Sequence, residues 1–121
     1  MPSEFRCILF SWREIREALV GFQRRRGVPV PMREPDAFVV DPGKLSIELT
    51  YEDVPEPQVF RFDRGTLTAA LILHCKDRGV RLPLKSKKLV HLIDTRLALM
   101  VHIAGGESEE FLAFELATRV A

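Results

Sequence analysis

Two thiols and three imidazoles are the side chains of this 121-residue sequence best suited to covalent or metal chemistry: Cys7, Cys75, His74, His91 and His102. Nucleophilic catalysis needs a thiol or hydroxyl beside a histidine, with an acid orienting the ring. None of the five stands in such a motif. Cys75 follows His74 directly, and neighbours in sequence on a helix do not face each other. The cysteines lack CxxC or metal-ligand spacing, which suits small apolar residues in a reducing compartment.

His91 and His102 fall in two apolar runs, 89–93 and 97–103. Paired over a two-residue Thr95-Arg96 loop, these runs set His91 opposite Met100 and His102 opposite Leu89, as diagonal neighbours on one face. Copper or zinc would still lack a clear third ligand. No metal or cofactor is expected. Carboxylate pairs such as Glu52/Asp53 and Glu109/Glu110 lie in expected turns, where solvation is their ordinary state. Glycine-rich phosphate motifs are missing, and Gly105-Gly106 reads as a turn. The residues give no support to an enzyme.

The remaining polar signal is basic. One group is Arg24, Arg25, Arg26 and Arg33; the other is Lys76, Arg78, Arg81, Lys85, Lys87 and Lys88. Clustered cations bind phosphate, but cations at a helix C-terminus also complement its dipole. Aromatic residues that would stack bases are not interleaved with them. With 18 basic against 17 acidic residues, the net charge of +1 gives no global field for nucleic acid or membrane.

These groups occupy corresponding places because the sequence repeats itself. Phe10, Ala18, Leu19, Arg26, Gly27, Val28 and Pro31 recur 52 residues later as Phe62, Ala70, Leu71, Arg78, Gly79, Val80 and Pro83. Other positions keep their type, among them Ile15/Leu67, Val20/Ile72, Val30/Leu82, Met32/Leu84 and Arg33/Lys85. Self-similarity at a fixed offset indicates an architectural repeat.

Each unit has the same start and stop signals. Ser11 with Glu14 forms a capping box, and Phe10 and Ile15 have staple spacing. Ile15, Ala18, Leu19 and Phe22 then recur at helical spacing, and Gly27 closes the helix in the left-handed region. In the second unit Asp63 is the cap, 65–78 the helix and Gly79 its stop. Val28-Pro29-Val30-Pro31 cannot extend a helix and runs extended. Strands are expected at 4–10, 37–40, 45–51, 59–62, 89–93 and 97–103, with a turn at Asp41-Pro42-Gly43-Lys44. The 52-residue shift maps Phe62 onto Phe114, which makes 110–116 a closing strand.

The expected fold is α+β: one domain over 1–121, made of two α-β-β-β pseudo-repeats, 4–55 and 56–118. They build an antiparallel sheet, or two apposed sheets, with both helices packed on it. The two units differ on one strand face. Ser46, Glu48 and Thr50 in the first become Ala98, Met100 and His102 in the second. A dry face needs a cover, and homodimerisation is the commonest one. The expected function is therefore a non-catalytic binding or adaptor protein, homodimeric through Ala98, Met100, His102 and His91. The alternative is an RNA- or DNA-binding module using Arg24, Arg25, Arg26, Arg33, Arg81, Lys85, Lys87 and Lys88. Charged residues interrupt the N-terminus and no apolar run reaches membrane length, so a cytoplasmic chain without a membrane partner is expected.

Overall fold

The computed structural model describes residues 4–52 and 55–103. The chain begins with strand β1 (Glu4–Phe10), which turns Ile8 and Phe10 inward. Helix α1 (Trp12–Arg25) follows at once. Ser11 Oγ accepts from Glu14 N at 3.2 Å, and Glu14 Oε1 accepts from Ser11 N at 3.0 Å. This reciprocal cap satisfies two N–H groups that the first turn leaves without helical partners. Ile15, Ala18, Leu19 and Gln23 form the buried stripe of α1. Gly27 then takes φ +77°, a backbone state that any Cβ would disfavour, and the helix stops.

Strands β2 (Ala37–Asp41) and β3 (Ser46–Tyr51) form a hairpin whose loop is held by Asp41. Its Oδ1 accepts from Gly43 N and Lys44 N, at 3.0 and 3.1 Å. Strand β4 (Gln58–Phe62) leads into helix α2 (Arg64–Asp77), capped by Asp63 Oδ1 accepting from Thr66 N at 2.8 Å. Gly79, at φ +75°, ends α2 as Gly27 ends α1. Strands β5 (Ser86–Ile93) and β6 (Arg96–Ile103) complete the described chain. The expected closing strand at 110–116 lies outside the described residues.

The fold is α+β, with two antiparallel three-stranded sheets of order β1–β6–β5 and β2–β3–β4. The second sheet is a meander of consecutive strands, whereas the first joins the two ends of the described chain. Strand β1 crosses the chain to pair with β6, Glu4 opposite Ile103 and Phe10 opposite Leu97. Strand β4 returns to β3, with Phe62 opposite Ile47. The inner faces of both sheets and the buried stripes of both helices share one apolar cluster. It runs from Ile15 and Leu19 through Ile47, Leu49 and Tyr51 to Leu67, Leu71, Leu97 and Leu99. Trp12 Nε1 adds a cross-tie by donating to Thr95 O at 3.2 Å.

Two sequence expectations shift. Strand β5 begins at Ser86, three residues earlier than expected, because an edge strand tolerates lysines: Lys87 is exposed and Lys88 Nζ folds back onto Pro83 O at 2.9 Å. The β5–β6 loop is Asp94-Thr95, not Thr95-Arg96. Ile93 pairs with Arg96, and Asp94 adopts φ +55°, the left-handed conformation that aspartate accepts more readily than most residues. Among the described residues no helix is long and apolar enough to cross a membrane.

Candidate functional site

The corrected loop moves the histidines apart. His91 now faces Ala98 and His102 faces Lys87. Four residues of strand separate those partners, about 13 Å at the usual rise. One metal ion cannot bridge that span. Among the described residues no group of three or more potential metal ligands occurs. His102 instead stacks on Phe5 of β1, ring centroids 4.4 Å apart, and Arg64 Nη2 stands 3.4 Å from His91 Nδ1. Arg64 also donates through Nε and Nη2 to Val90 O at 2.9 and 2.8 Å, occupying part of the open edge of β5.

The thiols offer no better site. Cys75 is buried in α2, and burial pushes its thiol up. Cys7 is exposed on β1, yet the part of it that is desolvated also raises its thiol. A raised pKa depletes the thiolate, which is the nucleophilic form.

The basic residues are engaged more than their spacing implies. Arg25 pairs with Asp77 at 2.5 Å, and Arg33 forks onto Asp36 at 3.1 and 3.0 Å. Arg26 lies over the Phe22 ring, 5.3 Å from its centre. Lys88 holds Pro83 O and Ser86 O. Beside them Arg16 pairs with Glu34 and Arg78 with Glu17. Arg24, Arg81, Lys85 and Lys87 are exposed. The phosphate reading needs a dense cationic surface, and at least half of its residues are already committed within the chain.

Ala98, Met100, His102 and His91 do lie on one sheet face, as expected, but all four are buried inside the single chain. They therefore have almost no surface to offer a second copy. The corresponding face of the other sheet is wetter: Ser46, Glu48 and Thr50 are half-buried, and Glu48 Oε1 pairs across the strands with Arg61 Nε at 3.4 Å.

Exposed apolar side chains single out a different place. Met32 is 91% exposed and Leu84 is 99% exposed, the two highest values among the large apolar residues described. Both sit between a proline and a cation, in Pro31-Met32-Arg33 and Pro83-Leu84-Lys85. Both follow the glycine that ends a helix, and Arg25–Asp77 ties those two helix ends together. Sequence reasoning noted the Met32/Leu84 correspondence without its exposure. Periodicity marks a core only inside helices and strands, and these residues lie in neither. Met32 also lines an open cleft with Val20, Arg24, Pro31 and Arg78. A second cleft lies between Trp12, Arg13, Arg16, Glu34 and Phe38.

No family model matches this chain, and no curated protein or solved structure matches it either.

Proposed function

We propose that the chain is a non-catalytic binding protein that associates with a second copy of itself through the two helix exits, Pro31-Met32-Arg33 and Pro83-Leu84-Lys85. The observation that carries this reading is the near-complete exposure of Met32 and Leu84 at corresponding positions. A core requirement cannot keep an apolar residue where there is no core. Contact with a partner can, since burying one such side chain is worth roughly 1.5–3 kcal/mol. Arg33 and Lys85 would surround the apolar centre with charge, the usual arrangement of an interface rim.

The same correspondence supports an internal duplication. Helix α2 begins and ends 52 residues after α1, as Arg25 and Asp77 illustrate. In this reading each half contributes one strand, β1 or β4, to the hairpin of the other half. The two free thiols agree with a place in the reducing cytoplasm.

Sedimentation of the wild type and of the Met32→Asp/Leu84→Asp double variant tests the proposal. A wild-type dimer at micromolar concentration that the double variant converts to monomer is the expected result. A monomeric wild type ends the self-association, and a double variant that remains dimeric moves the interface elsewhere. Both side chains are exposed, so the substitutions leave folding intact.

A further inference from the structure

Part of the outer face of the β1–β6–β5 sheet is buried beyond what the described contacts account for: Phe5 stacks on His102 and Arg64 stands against His91, but neither lies over Ala98 or Met100. In its central strand Ala98 is 0% exposed, Met100 4% and His102 0%; His91, on the edge strand, is 2% exposed. Both helices sit on the opposite face. The apolar cluster they join takes Val90, Leu97, Leu99 and Val101 from this sheet and none of those four. Neighbouring strands supply only part of the cover, as Phe5 does for His102. Side chains stand roughly perpendicular to a sheet, so a neighbour shields them from the side and not from above. Phe5 and Leu9, on the same outer face of β1, keep 40% and 44% of their surface.

Outside residues 4–52 and 55–103 the chain has only 1–3, 53–54 and 104–121. The first two stretches are too short to lie across three strands. The third starts where β6 ends, at Ile103. We propose that the outer face of the β1–β6–β5 sheet is the docking site of the chain's own C-terminal segment, residues 104–121.

The chemistry of the two surfaces agrees. The segment carries Phe111, Leu112, Phe114, Leu116 and Val120, with Glu107, Glu109, Glu110 and Glu115 against the single Arg119. The sheet face presents Phe5, Leu9, Leu89 and Met100, with Lys87, His91 and His102 as its basic groups. Apolar surface meets apolar surface, and an acidic segment meets a face that carries no carboxylate among its described residues. Reach is no obstacle. The outer strands of a three-stranded sheet are about 10 Å apart, and an 18-residue segment spans about 27 Å even as a helix. This docking is independent of the Met32 and Leu84 surface, so either proposal can fail alone.

The deciding experiment uses the full chain with the photo-cross-linker p-benzoylphenylalanine in place of Leu9, which sits at the exposed rim of the face. The expected product is a cross-link within one chain to a residue of 104–121. A product joining two chains, a product elsewhere in the chain, or no product with 104–121 overturns the proposal. A second measurement reads the centre of the face. In a Cys7→Ser/Met100→Cys chain, the new thiol is expected to react at least tenfold more slowly than Cys7 does in the wild type. Adding Phe111→Asp and Phe114→Asp is expected to release that protection. A rate unmoved by the two tail substitutions overturns the docking.

Discussion

Arg25 and Asp77 stand 52 residues apart in sequence and touch in space, Nη2 donating to Oδ2 across 2.5 Å. Each is the last residue of its helix. Under the duplication proposed above they are equivalent positions, and equivalent positions related by a twofold meet only near its axis. Two identical half-chains would have set like charges against each other there. A single continuous chain can carry opposite charges at the two places, and this one does. The Arg25 hydrogen bond holds the Asp77 carboxyl below its ordinary range.

Charge exchange tests that contact. Asp77→Arg is expected to lower the urea midpoint by setting two arginines together, and Arg25→Asp/Asp77→Arg to restore it. The groups are half exposed, so the effect is small and shrinks with added salt. A double variant no better than Asp77→Arg refutes a direct contact.

Glycine substitutions separate backbone strain from crowding. Beyond the adjoining residues and the local helix backbone, nothing lies within 4 Å of a Cβ placed on Gly27, Gly79 or Gly21, but only the first two have positive φ. Gly27→Val and Gly79→Val are each expected to cost about 1 kcal/mol or more. Gly21→Ala, in the middle of α1, is expected to gain about 0.5–1 kcal/mol instead. Denaturant midpoints with unchanged slopes are the measurement.

The helix caps predict both a cost and a pH dependence. Ser11→Ala is expected to lose about 1 kcal/mol. At Asp63 the Thr66 N–H holds the carboxyl below its ordinary range. A carboxyl lowered by folding stabilises above its unfolded pKa, and the contribution disappears as pH falls through the lower folded value. Asp63→Asn should therefore be less stable than wild type at neutral pH, and the gap should close on acidification below the usual aspartate range. A gap independent of pH would show that the carboxylate does not act as a charged cap.

Heparin chromatography addresses the phosphate reading. With Arg25, Arg33 and Lys88 held by partners within the chain, wild-type retention is expected to be weak. Reversal of Arg25 and Lys87 to Glu should then change elution little. Strong retention abolished by those reversals would instead establish a nucleic-acid surface.

Local signals in the sequence were strong enough to place every described helix and strand. Ser11, Asp63, Gly27 and Gly79 mark helix ends through hydrogen bonds and backbone angles that depend on a few adjacent residues. Pairing was less legible. The Asp94-Thr95 loop depends on one residue accepting a left-handed backbone, and a loop displaced by one residue moves each cross-strand partner by two. That displacement keeps the faces intact, which is why His91 and His102 stayed on the expected face but lost each other. The partnership of β1 with β6 has no local signature, because any antiparallel edge could have taken β1. Burial of Ala98, Met100 and His102 was expected from their composition. Whether a second copy or the same chain covers them depends on tertiary packing that residue type does not encode. For Met32 and Leu84 the deciding fact was exposure, which a sequence does not carry.

The pairing of Glu4 with Ile103 also constrains how the protein is made. Strand β1 has no partner in its sheet until β6, the last described strand, has been synthesised. At 5–20 residues per second, the interval is on the order of 5–20 s. During that time the nascent β1 exposes Ile8 and Phe10 and an unpaired backbone, the features that chaperones recognise and that aggregate when they are not shielded. The β1–β6–β5 sheet therefore closes only once β6 has been made, whereas β2–β3–β4 can form as soon as Phe62 has emerged.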